Sequence, residues 1–302
     1  MINLLDVLWS SCTFPLWITY LFLVHRPEKV SDLLVSAFLY GKLSSNNKKA
    51  GRLNNIAIPK RWFTHFYQYA VVLFSLWSLI LLVSAFTGHA AVPSSLSFSL
   101  DVLIHNRRSH VPFAVALWVQ LLTTLQVYRR CYECMFVSVY SDAKMHVWHY
   151  AVGYIFYTGI QYSILSMTLG SDSSTIFRFS DLFRFNVLIG TLIFAAAFHL
   201  EHDTTKRFAN FRKDATGKVV SSKHQAPVGG MFEYVSSPHY LAEMLVYTGL
   251  TVILWSFNFT WFNALLWTYV NQSAMAFLSH RWYQSNFKDY PKTRTAVIPF
   301  LL

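Results

Sequence analysis

The sequence predicts an all-α integral membrane protein of about seven transmembrane helices enclosing a polar cavity open to the cytosol. Three observations carry this reading. Of 302 residues, 54% are hydrophobic and 13% charged, against about 25% charged in soluble chains. Apolar stretches recur at 3–24, 66–87, 111–128, 147–169, 183–199, 241–257 and 260–279, most approaching the roughly 20 residues that cross a hydrocarbon core. Finally, the basic residues alternate between connections. Loops 25–65, 129–146 and 200–240 and the tail 280–302 hold 8, 3, 6 and 4 Lys and Arg, while 88–110 and 170–184 hold two each. Twenty-one of 25 therefore lie on one side. The positive-inside rule makes that side cytosolic, with the N-terminus across the membrane and the C-terminus in the cytosol. An odd number of spans gives the same answer.

Taken in order, stretch 3–24 lacks the basic start and small-residue cleavage site of a secretory signal, and further spans follow it, so it stays as a helix. The segment GKLSSNNKKAGRLNNIAIPK (41–60) is polar and rich in turn formers, and its proline can open the next helix, 66–87. On the third stretch Gln126, Arg130 and Glu133 lie at i, i+4 and i+7 with Arg129 alongside, a polar stripe that runs to the cytosolic end. The CYEC spacing at Cys131 and Cys134 is formally a redox motif, but without a βαβ context it reads as packing thiols. On the fourth stretch His146, Tyr150, Gly153, Tyr157 and Gln161 share a face. The fifth leads into DTTKRFANFRKDATGKVVSSKHQAPVGG (203–230), whose basic run and glycines suit close approach to a polyanion; an ordinary solvated connector is the alternative. His239, Glu243 and Tyr247 line the sixth, and Gln272, Ser279 and Tyr283 the seventh, with His280 beside them.

Ionisable side chains in lipid are costly and mark functional sites by default. One stripe would serve as interhelical glue worth about 1 kcal/mol per hydrogen bond, but four stripes converging on the cytosolic halves predict an enclosed polar cavity. HVWH (146–149) and HLEH (199–202) have ligand-like spacing. The histidine boxes of membrane di-iron oxidases, however, contain adjacent histidines and this chain has no HH pair, so no metal is expected. Walker, GxSxG and strand-borne GxGxxG motifs are missing, so a nucleotide must be held without a Rossmann fold. The excess of 25 Lys and Arg over 14 Asp and Glu is accounted for by topology and contact with lipid headgroups, and nucleic-acid binding is not expected. With no repeat or long linker, residues 1–302 read as one polytopic domain.

IPKRWFTHFY (58–67), QVYRRCYEC (126–134), SVYSDAKMHVWHY (138–150), NFRK (210–213), FEYVSSPHYLAEMLVY (232–247) and FLSHRWYQSNFKDYPKTRTAVIPFLL (277–302) together resemble the steroid 5α-reductase family, specifically its polyprenol reductase branch. The likeness runs from about residue 58 to the end and is strongest in 111–302, with 1–110 supplying N-terminal helices and loop. It implies NADPH-dependent reduction of a carbon–carbon double bond in a long-chain isoprenoid lipid, for dolichol synthesis and protein N-glycosylation, in the endoplasmic reticulum membrane. It places Asn210, Arg212, His224, His239, Glu243, His280 and Tyr283 around the cofactor. His224 and Gln225 stand where the family has a tyrosine and an arginine, and His239 where the steroid enzymes have an asparagine. Candidates near the substrate are His65, which shares a face with Arg61 and Tyr69, Gln126, Arg130, Glu133 and Tyr150; an interfacial helix-start histidine is the other reading of His65.

Steroid 3-oxo-5α reduction is the alternative within the family. Isoprenylcysteine and phospholipid methyltransferases carry an RHPxY box and paired glutamates, where this chain has SSPHY and SHRWYQ. A transporter is the non-enzyme alternative, disfavoured by the lack of inverted repeats. The chemistry of the step points to the α,β-unsaturated aldehyde as substrate, because charge left by hydride addition passes to oxygen only when a carbonyl is conjugated with the alkene.

Overall fold

Every one of the seven apolar stretches forms a helix in the computed structural model, which describes residues 3–26, 29–30, 57–89, 91–104, 111–142, 144–169, 176–221 and 225–301. In chain order the helices are α1 (Leu4–His25), α2 (Phe63–Thr87), α3 (Ser94–Leu103), α4 (Phe113–Tyr132), α5 (Val147–Thr168), α6 (Phe185–Asn210), α7 (Pro238–Leu254) and α8 (Phe259–Asn286). Among the described residues only α3 is a helix outside the apolar stretches. It is short, and it packs a single fully buried side chain, Leu100, which is too little periodicity to read in a polar loop. By length and apolar composition Leu4–His25, Lys60–Thr87 and Phe185–Asn210 qualify as membrane spans. Large apolar residues such as Val72, Leu79, Phe86, Phe185 and Leu192 face outward, as expected of helices whose solvent is lipid.

Two short strands set the relation between α2 and α5. Ala57–Pro59 (β1) and Lys144–His146 (β2) pair antiparallel, with Ile58 opposite Met145. Proline holds the residue before it extended, and each strand runs directly into its helix, so the two N-termini start side by side. Below them Gly153 lies so close to Phe66 that a Cβ there would be 2.5 Å from the ring, and Phe66 stacks on Tyr157 at 6.1 Å.

Elsewhere the bundle is tied by buried polar contacts. Gln120 on α4 and Gln161 on α5 exchange two amide hydrogen bonds, 3.0 and 2.8 Å. Gln161 therefore works as interhelical glue. Trp9 of α1 donates to Ser163 of α5 at 3.0 Å. The closest helix pair is α6 and α7, where Gly190 and Gly249 face one another. A Cβ on Gly190 would sit 2.6 Å from the Gly249 carbonyl oxygen, and one on Gly249 2.8 Å from that of Gly190. Small residues permit this backbone contact where lipid supplies no hydrophobic drive for association.

Candidate active site

The last turn of α4 does not finish as an α-helix. Glu133–Val137 form a wider π-turn, closed by Ser138 N–H donating to the Glu133 carbonyl at 2.7 Å. Such bulges re-aim side chains and gather at functional sites. Here the turn leaves the Glu133 carboxylate, fully buried, beneath both arginines that precede it.

Arg129 Nη1 donates to Glu133 Oε1 at 2.9 Å and Arg130 Nη1 to Glu133 Oε2 at 2.5 Å. From α6, Glu201 accepts from Arg129 Nη2 at 2.5 Å, Arg130 Nε at 3.1 Å and Gln126 Nε2 at 2.8 Å. His202 Nδ1 lies 2.7 Å from Glu133 Oε1. Two guanidinium groups and two carboxylates thus form a closed layer. Desolvating an unpaired ion costs several kcal/mol, and here every charge in the layer has partners of opposite sign. Both arginines hold Glu133.

Above this layer lies a cavity of about 460 Å³, at the end of the bundle where the basic loops emerge. Arg130, Glu201 and Glu243 form part of its floor, where α6 and α7 bring the two carboxyl groups to the same cavity. Tyr67 and Tyr157 line the same region, and Arg130 Nη2 donates to the Tyr67 hydroxyl at 3.3 Å. A second side is apolar, with Leu16 and Leu23 of α1 facing Trp267, Met275 and Leu278 of α8. A third carries Lys60, Arg212, Gln225, His239 and Tyr283, and α8 adds the amides of Asn271 and Gln272 to the lining.

Arg212 reaches across this third side and donates to the Val139 carbonyl. Its half-burial lowers its pKa from the usual arginine value, a mark of a cation held partly out of water that a bound anion would stabilise. Burial also pushes the Tyr140 phenol up, with Cys134 adding to the effect, and the Cys134 thiol up, so both groups enter the cavity wall neutral. Cys131 and Cys134 are free thiols. The lining thus offers two cations, Lys60 and Arg212, and two amides, Asn271 and Gln272.

Of the sequence candidates, Arg130, Arg212, His239, Glu243 and Tyr283 meet around this cavity. Gln126 and Glu133 support it from behind through the ionic layer. His65 and Tyr150 stand apart on an outer face, where His65 Nδ1 lies 3.2 Å from the Tyr150 hydroxyl and Tyr150 2.7 Å from that of Tyr154. Asn210 is exposed at the end of α6. His280 lies behind the wall, 2.6 Å from Ser236 Oγ. His224 falls outside the described residues. The sequence reading missed Tyr67 and Glu201. Tyr67 is two residues, about 200°, around α2 from His65, so choosing the His65 face pointed away from the core. Glu201 sits inside HLEH, two residues past the apolar stretch 183–199 and in a segment whose sequence reads as a basic loop, so only its metal-like spacing stands out.

Residues 141–302 match the family profile described as 3-oxo-5-alpha-steroid 4-dehydrogenase. The chain is similar over its whole length to the polyprenal reductase of Danio rerio, 32% identical over 314 residues that cover 100% of this chain and 98% of the relative. The Homo sapiens polyprenal reductase is 31% identical over 309 residues, 99% and 96% of the two chains. That of Drosophila melanogaster is 34% identical over 274 residues, 88% and 83%.

Proposed function

The chain belongs to the 3-oxo-5-alpha-steroid 4-dehydrogenase family, and on that premise we propose that it reduces the α-isoprene double bond of a long-chain polyprenal with NADPH. The observation that carries the reading is one cavity with three chemistries: a cationic and amide-bearing side, an apolar side between α1 and α8, and a floor where Arg130, Tyr67 and a carboxyl pair converge. The first suits a dinucleotide, the second an isoprenoid tail and the third the reacting head.

When bound, NADPH supplies the hydride that saturates the β-carbon. Lys60 and Arg212 hold its phosphates; Asn271, Gln272, His239 and Glu243 hold its nicotinamide end, with Tyr283 on the wall beside them. Negative charge then develops on the aldehyde oxygen, where the Tyr67 hydroxyl and Arg130 donate. Preorganised donors act only on atoms where charge develops. The ionic layer fixes Arg130, so the donor costs no reorganisation at the moment of reaction. Glu243, which faces the cavity beside Glu201, gives its proton to the α-carbon and takes another from the cytosolic side, and the saturated aldehyde leaves. In this role Tyr67 replaces His65, whose face of α2 looks away from the cavity.

The same reading places the chain in the endoplasmic reticulum membrane as one domain of seven crossings, with its N-terminus lumenal and the cavity and C-terminus on the cytosolic side. The basic loops 129–146 and 200–240 around the cavity mouth support that orientation.

The test is purified protein in lipid nanodiscs given NADPH with long-chain polyprenal, the matching polyprenol or a steroid enone, read by NADPH absorbance and product mass. Polyprenal is expected to be saturated and polyprenol to be left untouched. Saturation of the alcohol with no aldehyde present would overturn the substrate, and preference for the enone would transfer the reading to the steroid branch that the family description names.

A further inference from the structure

After α8 the chain doubles back, and residues 287–297 pack against the outside of the cavity wall. Ala296 and Val297 are buried with Met244 of α7 and Ala276 of α8. Ser236 N–H donates to the Thr295 carbonyl at 2.9 Å and Thr295 N–H to that of Tyr234 at 3.1 Å, a parallel bridge between segments some 60 residues apart. Beside it, Tyr290 donates to Ser236 Oγ at 2.7 Å, and the same oxygen lies 2.6 Å from His280 Nδ1. The Gln284 amide nitrogen donates to His280 Nε2 at 2.8 Å, so the neutral His280 ring carries its proton on Nδ1 and donates it to Ser236 Oγ. The Tyr290 ring stacks on Tyr283 with centroids 5.4 Å apart and planes 7° from parallel.

The same segment reaches the loop that enters the cavity. Arg294, 4% exposed, donates from Nη1 to the Pro227 carbonyl at 2.7 Å and lies 3.5 Å from Glu233 through Nη2. Gly229 and Gly230, at φ +81° and +58°, lie flat on the Arg207 guanidinium, where a Cβ would come within 2.8 and 3.0 Å. Within this held stretch Gln225 precedes the loop, His239 follows it, and Tyr283 stands on α8; all three line the cavity. Tyr290, Arg294, Ser236 and His280 do not.

We infer that the C-terminal segment is a clamp: Tyr290 and Arg294 are positioning residues that fix the cofactor side of the cavity from behind, through Ser236–His280 and the Pro227 carbonyl. This rests on the reading of that side as the NADPH site. The clamp touches Gln225, His239 and Tyr283 only through the backbone or a stacked ring, so loosening it weakens cofactor binding and leaves the reacting groups in place.

Tyr290→Phe keeps the stack and removes the hydroxyl. One lost hydrogen bond corresponds to about a 3- to 10-fold change in affinity. Hydrogen exchange of segment 225–237 without cofactor is expected to speed up, NADPH binding by fluorescence titration to weaken by that factor, and kcat at saturating NADPH to stay within about two-fold. Ser236→Ala should act alike, and the double variant should be no weaker than either single one, because both remove the same bond. Unchanged exchange with wild-type affinity in Tyr290→Phe would overturn the clamp, as would a fall in kcat that persists at saturating cofactor. If the wild-type protein binds no NADPH, the functional reading fails, and the exchange data still decide whether Tyr290 holds the segment.

Discussion

Replacing Glu133 by Gln tests the ionic layer most directly. The substitution keeps the shape of a fully buried side chain and removes its charge. The carboxylate accepts from Arg129 at 2.9 Å, Arg130 at 2.5 Å and His202 at 2.7 Å. An amide has one oxygen to offer in their place, and its NH2 would face guanidinium donors. Arg129 and Arg130 would then share Glu201 alone, two positive charges against one negative. Stranding one buried charge costs about 3–5 kcal/mol, in line with the loss of one or two bonds to charged groups at about 1.5–3 kcal/mol each. At about 2–4 °C per kcal/mol for a chain of this size, the melting temperature should fall by about 6–20 °C. The assay is thermal unfolding of detergent-purified protein followed by tryptophan fluorescence. Asp181→Asn is the control, since its pair with Arg184 at 3.0 Å lies at a half-exposed surface and is worth under about 1 kcal/mol. A Glu133→Gln protein that melts with the control, within about 2 °C of wild type, would refute the charge argument.

Two further outcomes follow from the same geometry. Arg212→Ala should raise the dissociation constant for NADPH about 10- to 100-fold, the loss of one or two charge-assisted contacts, while Arg212→Lys retains part of the affinity; equal binding in all three proteins by fluorescence titration would remove Arg212 from the site. Gly190→Ala should destabilise the fold by about 1–3 kcal/mol or more, because its methyl group would meet the Gly249 carbonyl oxygen at 2.6 Å; a thermal midpoint equal to wild type would show that the helices part without cost.

The seven helices were legible because apolar stretches of bilayer length have few other readings, and the polar stripes because charge in lipid needs a reason. The Gln126, Arg130 and Glu133 stripe held as read, and its partner Arg129 joined both carboxylates. What failed was helix phase: α2 has aromatic side chains around its circumference, so composition does not say whether His65 or Tyr67 faces inward. The π-turn at Glu133–Val137 left no mark in the spacing, because one extra residue per turn is invisible without a partner helix for reference. Serine, histidine and tyrosine at 236, 280 and 290 meet only after α8 has crossed the bundle, a contact that no local pattern encodes.

The glycine contact between α6 and α7 has a mechanical meaning. Glu201 and Glu243 sit one on each of these helices, and where the backbones touch at Gly190 and Gly249 no layer of side chains can flex between them. The separation of the two helix backbones at this level is therefore set by peptide geometry, like two marks scribed on a single block. Motion that admits a long isoprenoid chain must be taken up by the other side of the bundle, where α1 meets α8 through rings such as Tyr20 and Phe277, 6.1 Å apart. On the function proposed above, width for the tail can thus change without parting α6 from α7.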